Sequence, residues 1–217
     1  MTRLTVAGVW RWVVGASVAC GLVLSGCSPG GGSSEGTSPS GSGGVAAPSG
    51  SASMSGGYAM DAQGRPVQPV RSWTALTRDP VMDEESPEGV VAFGRYFVAV
   101  AERAWNTGDT TELEAISTTE CSYCTNLVAS IQDMYRSGRW IDGLEYRILS
   151  VDEPVAFPQR ELKYVVMIHL ITSSLRAYDG NRLGKIDPVA ERFELHVCRD
   201  STRWTMCGAI GGDDDDA

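Results

Sequence analysis

Cysteine is the residue type with the most chemistry to offer in this chain. Cys121-Ser122-Tyr123-Cys124 has the spacing of a thiol–disulfide exchange pair, and Cys198 and Cys207 flank an Asp200-Ser201-Thr202 turn. A thiol at a helix N-terminus is acidified by the helix dipole, as an exchange pair requires. Redox pairs of that type follow a strand in a βαβ unit, whereas this one follows two helix-like segments. The four cysteines therefore read as two structural disulfides, with three connectivities open. The local pairs Cys121–Cys124 and Cys198–Cys207 are favoured, and a helix-to-sheet pair such as Cys121–Cys198 is the alternative. A four-cysteine zinc site is disfavoured by the long spacing of its second half.

The remaining titratable groups single out no reaction. His169 and His196 fall in strand-like runs and read as satisfied or solvent-facing, and no Gly-x-Ser-x-Gly elbow accompanies them. An acid–base site needs a carboxylic acid and an oxyanion donor inside an apolar pocket. Tyr96, Tyr146 and Tyr164 are candidate donors, and Asp142 and Asp152 candidate bases, but no spacing distinguishes them. Trp105, Trp140 and Trp204 read as core or rim residues, with lining of an apolar pocket as the alternative. No phosphate loop, dinucleotide fingerprint or paired metal ligand is present, so no cofactor and no metal are expected.

The N-terminus carries an address. Arg3 and Arg11 precede a charge-free run, Val13 to Leu24, which is too short to span a bilayer as a mature helix. The run ends in Leu24-Ser25-Gly26-Cys27, which resembles the bacterial lipobox. The resemblance implies a signal peptide over 1–26, cleavage before Cys27 and diacylation of its thiol, palmitate included. The mature chain would then be held at the extracytoplasmic face of the cell membrane by lipid. The formal charge of −9, with no basic cluster, argues against nucleic acid and against a polybasic grip on anionic lipid.

Along the chain, residues 27–71 are dominated by Gly, Ser, Ala, Pro and Thr, especially up to about Met60, and read as a disordered tether. Pro66, Pro69 and Pro80 break any element there, while Trp73 and Leu76 are candidates to dock as an extended lead-in. The folded domain is expected over 72–212, ended by Gly211 and Gly212, with an acidic tail at 213–217. Ser86-Pro87-Glu88 is a helix start, and Val90, Phe93, Phe97, Val100 and Ala104 form its apolar stripe up to Gly108. Asp109 with Glu112 predicts a capping-box restart and a short second helix. A third helix is predicted from about Cys121 to Arg136, with Leu127, Val128, Ile131 and Tyr135 on one face. Four strands follow: Leu144–Ile148, Leu162–Leu175, Phe193–Val197 and Trp204–Ile210. Asp179-Gly180 predicts a hairpin turn between the second and third, within one antiparallel meander. Helices before a meander give an α+β class.

This layout resembles the cone-shaped fold of ketosteroid isomerase and nuclear transport factor two, also called cystatin-like: three helices packed on a curved antiparallel sheet. Phe93-Gly94-Arg95-Tyr96-Phe97, Asn106-Thr107-Gly108-Asp109 and Cys121-x-x-Cys124 resemble an actinobacterial lipoprotein family of unknown function. That family brings no established activity and no catalytic positions. The expectation is a non-catalytic module that binds an envelope protein or a small apolar ligand. The alternatives are a cone-fold isomerase or dehydratase and a thiol–disulfide redox protein.

Overall fold

The computed structural model describes residues 54–157, 163–200 and 202–213. The expected signal peptide, Cys27, the tether as far as 53 and tail residues 214–217 lie outside them.

A short 3-10 turn, Pro80–Asp83, leads into helix α1, Pro87–Thr107. Ser86 is extended, and its Oγ accepts the Gly89 amide at 3.1 Å, so the capping signal acts as read. Val90, Phe93, Phe97, Val100 and Ala104 are all buried. Gly108 ends α1 with φ 77°. A Cβ there would also stand 2.6 Å from the Tyr135 ring, so glycine is required by conformation and by contact.

Helix α2, Thr111–Ala115, starts one residue later than the capping-box reading. Asp109 Oδ1 accepts the Thr111 amide at 3.1 Å, but Glu112 turns away and accepts the Tyr96 hydroxyl at 2.8 Å. Helix α3, Ser122–Arg136, buries Cys124, Leu127, Ile131 and Met134. Val128 and Tyr135, expected on that face, are half-buried at its margins.

The main sheet has strand order β10-β9-β6-β4, all antiparallel: β4 is Tyr146–Val151, β6 Lys163–Thr172, β9 Ala190–Arg199 and β10 Trp204–Asp213. The short β5, Val155–Ala156, continues the β4 edge of β6. Bulges between Ile148 and Ser150 and between Met206 and Gly208 interrupt two of the ladders, a feature that bends strands. Val166, Ile168, Leu170, Leu195, Val197 and Met206 face the helices and are closed to solvent. Among the described residues no helix is long and apolar enough to cross a membrane.

Three expectations need correction. The run Leu162–Leu175 is two strands, because Ser173 stops the first one: its Oγ donates to Gly143 O at 2.6 Å and accepts the Glu145 amide at 2.9 Å. The chain then enters a second sheet, order β3-β7-β8, with β3 Trp140–Asp142, β7 Leu175–Tyr178 and β8 Leu183–Ile186. Asp179-Gly180 closes the β7–β8 hairpin of that sheet and does not join two strands of the main one. Second, Gly211 and Gly212 are strand residues and not a stop: they stay paired with Phe193 and Arg192, and β10 runs one residue past them to Asp213. The Phe193 ring lies over Gly211, where a Cβ would come within 2.7 Å of it.

Third, the folded part begins well before residue 72. A two-residue hairpin, β1 Met54–Ser55 with β2 Tyr58–Ala59, precedes a lead-in laid on the second sheet. Tyr58 packs on Trp140 with ring centroids 5.2 Å apart, and its hydroxyl donates to Asp142 at 2.9 Å. The Gln68 amide faces Asn106 O, Tyr135 Oη and Ile141 O at 2.8 to 2.9 Å. Arg71 grips Asp142 with Nε and Nη2. Composition alone misses this segment, because one ring and a few polar side chains anchor it rather than an apolar stripe.

Candidate functional site

Both local disulfides form. Cys121 and Cys124 are bonded across the first turn of α3, with Cα atoms 5.2 Å apart. Cys121 is also the N-cap, its sulfur accepting the Cys124 amide at 3.2 Å, and the two residues are 0 % and 1 % exposed. No sulfur of this pair reaches a cleft. Cys198 and Cys207 are bonded across β9 and β10 with Cα atoms 5.8 Å apart. Thr205, not Cys207, is the residue opposite Cys198; Cys207 occupies the β10 bulge, which places it within reach. Both of these cysteines are half-buried.

Between the helices and the sheet lies a small cavity of about 20 Å³, bounded by Phe97, Trp105, Tyr123, Tyr146, Leu170 and Phe193, among others. That is room for about one water molecule and no substrate. Of the polar cluster at this end the sequence singled out Tyr146, as a candidate donor, and missed Glu102, Tyr123 and Glu191, because the members are scattered over α1, α3, β4 and β9. Glu102 on α1 accepts the Tyr146 amide at 2.6 Å. Burial pushes its carboxyl above the usual range; the hydrogen bond from the Tyr146 amide opposes this and the nearby Glu145 charge adds to it. Burial also raises the Tyr146 and Tyr123 phenols, assisted by the charge of Glu191, itself buried. Of these groups Tyr123 and Tyr146 line the small cavity, and their phenols stay protonated and able to donate a hydrogen bond.

The candidates named from sequence are spread over the molecule. The Tyr96 hydroxyl is committed to Glu112, and Tyr164 packs edge-on to Trp204 at 5.8 Å. Asp142 anchors the lead-in. Burial raises its carboxyl, but the hydrogen bonds from Arg71 and Tyr58 and the Arg71 charge outweigh this and hold it below the ordinary carboxylate range. Asp152 lies 3.7 Å from His169, and His196 meets Glu194 at 2.6 Å, both on the sheet face away from the helices. Trp105 lines the small interior cavity, Trp140 stacks between Tyr58 and Tyr178, and the Trp204 indole donates to Glu84 O at 2.9 Å.

A much roomier concavity lies outside the core. A groove of about 890 Å³ runs along the outward side of α1, between the lead-in and the β4–β5 loop. Leu76, Val91, Ala92, Ala99, Val151 and Pro154 form its floor and walls, and Asp79, Glu88, Asp152, Glu153 and Arg95 its charged lining. Tyr96 and Asp152 share this groove. Leu76, expected as a docking lead-in residue, supplies one wall. A second concavity of about 500 Å³ opens on the β7–β8 hairpin beside Arg139, Arg182 and Lys185. Arg139, Arg182 and Lys185 are paired with Asp133, Asp179 and Asp187 respectively. On the outer sheet surface Leu149, Val155, Phe157 and Ile210 are 44 to 66 % exposed. Among the described residues no three His, Cys, Asp or Glu side chains gather as a metal site.

The profile of the family described as "Family of unknown function (DUF6318)" matches residues 77–209, so the chain belongs to that family. No curated protein sequence matches it. Among solved structures it is similar to the intermembrane space region of the chloroplast protein ARC6, at 10 % identity and TM-score 0.48, covering 59 % of this chain and 97 % of that one. It is also similar to an uncharacterised protein with a cystatin-like fold from Caulobacter vibrioides, at 12 % identity and TM-score 0.42, covering 60 % and 93 %. Aln2 from a Streptomyces species is similar at 11 % identity and TM-score 0.39, again covering 60 % and 93 %.

Proposed function

We propose that this member of the DUF6318 family is a lipid-anchored envelope protein whose domain binds a partner and carries out no reaction. Cys27, acylated after removal of 1–26, holds it at the extracytoplasmic face of the cell membrane, and the Gly/Ser/Pro tract sets the domain off the bilayer. The domain is of the cone type, and its docking surface is the α1 groove. The observation that carries this reading is the contrast in room: about 890 Å³ in the open groove against about 20 Å³ in the interior cavity. The burial of Cys121 and Cys124 supports a structural role for that disulfide.

The experiment is crosslinking on intact cells, with a photo-reactive residue in place of Ala99 in the groove and, separately, in place of Ala177 on the second sheet. A discrete adduct from the groove position alone supports docking there; equal or absent adducts from both positions oppose it. The anchor is tested separately. Mass spectrometry of the membrane-extracted N-terminal peptide should find acylated Cys27, and Cys27→Ala should leave the membrane fraction.

A second reading, a cone-fold acid–base enzyme, draws on Glu102 with its raised affinity for a proton beside the half-buried Tyr146. It requires the interior to open. Structures or exchange measurements with a bound apolar ligand between α1 and the sheet would bring it forward.

A further inference from the structure

The α1 groove has a charge imbalance that its apolar floor does not require. Asp79, Glu88, Asp152 and Glu153 line it against Arg95. One further cation lies near and is already engaged, Arg78 over the Tyr96 ring at 5.3 Å, and the His169 ring faces Asp152. Glu112, behind Tyr96, adds another acid on the same side. Among the described residues neither Glu88 nor Glu153 forms an ion pair. Between these acids, Val91, Ala92 and Ala99 keep the α1 surface low, so a second backbone can lie close. The floor from Glu88 to Ala99 is about 17 Å long at the helical rise, three turns of helix or about five extended residues.

Resting on the reading of this groove as a docking surface, we propose that its occupant is a cationic, apolar segment of a protein partner. Lys or Arg side chains meet the Glu88 and Glu153 carboxylates, and aliphatic side chains bury against Leu76, Val91 and Pro154. Charge complementarity excludes the nearer alternatives. Residues 28–53 of this chain contain Glu35 and no Lys or Arg, and the C-terminal run Asp213–Asp216 is acidic. A second copy carries the same formal charge of −9, and an anionic lipid surface repels the same rim.

The test uses the full chain in phosphatidylcholine nanodiscs, with empty nanodiscs as the control. Two labelled ten-residue probes are compared by fluorescence anisotropy: one alternates Leu with Lys, the other Leu with Glu. The Leu/Lys probe should bind at least tenfold more tightly than the Leu/Glu probe, and raising salt should weaken it. Glu88→Lys with Glu153→Lys should weaken it at least tenfold while the protein stays folded, with only a small drop in melting temperature from the lost first-turn acid of α1. Asp187→Lys, on the far sheet, should change it less than twofold. Equal binding of the two probes, equal binding to empty nanodiscs, or an equal effect of Asp187→Lys overturns the proposal. If the Leu/Lys probe fails while the Ala99 crosslink still forms on cells, the cationic chemistry is wrong and the docking reading stands. If both fail, both fall.

Discussion

Asp142 and Glu102 are carboxylates shifted in opposite directions, Asp142 by the partners that the fold brings to it and Glu102 by burial. Arg71 and Tyr58 hold Asp142 low, so its stabilising contribution is complete above the unfolded value of about 3.9 and is lost as pH falls through the lower folded value. Asp142→Asn should therefore lower stability by about 1–2 kcal/mol at pH 7, a range discounted because Arg71 is half exposed. In urea unfolding the gap between the two proteins should close as pH drops below about 4. Glu102 has the opposite sign. Burial raises it, so stability is complete below the unfolded value of about 4.3 and declines as pH rises through the higher folded value. Glu102→Gln keeps an acceptor for the Tyr146 amide and removes that decline. A pH series should show the variant equal to or more stable than the parent at pH 7; a loss above about 1 kcal/mol would mean the charge itself is needed.

The two disulfides differ in what surrounds them. Cys121–Cys124 is sealed at the junction of α3 with the core, whereas Cys198–Cys207 lies half-buried on a bulged hairpin. Under native conditions a small reductant should open Cys198–Cys207 first, and alkylation mapping should find Cys121 and Cys124 labelled only after unfolding. Labelling of Cys121 and Cys124 first would revive the exchange-pair reading. Cys198→Ser with Cys207→Ser should cost roughly 2–3 kcal/mol, the chain-entropy value for so short a loop. The lead-in is the other informative element. Its anchors are Tyr58, Gln68 and Arg71, and each finds its partner on α1, α3 or β3 across a long stretch of chain. Helix periodicity was therefore readable in α1 and α3, while the lead-in left no periodic trace.

For the whole molecule, the place where the folded domain begins after the Gly/Ser/Pro tract is the measurable consequence. Limited proteolysis should cut within the Gly/Ser/Pro tract before Met54 and spare 58–79 until the domain unfolds. The variant Tyr58→Ala with Arg71→Ala should move the first stable fragment start toward Pro80 without unfolding α1. Cuts throughout 58–71 in the parent protein would show that the lead-in contributes nothing to the fold.

The residues by themselves determined the start and stop of α1 and the strand-rich second half, and they favoured the local cysteine pairs. Each of these depends on neighbours within one or two turns: Ser86 caps Gly89, Gly108 takes a left-handed φ, and alternation marks β6 and β9. Tertiary structure decided the rest. Ser173 ends β6 by bonding Gly143 and Glu145, and Phe193 holds Gly211 in a strand by covering it. The groove needs Leu76, α1 and the β4–β5 loop side by side, and the cluster of Glu102, Tyr123, Tyr146 and Glu191 needs α1, α3, β4 and β9 together. Groups so far apart in the chain acquire a shared environment only when the core closes, and that environment sets the room, the charge and the proton affinity.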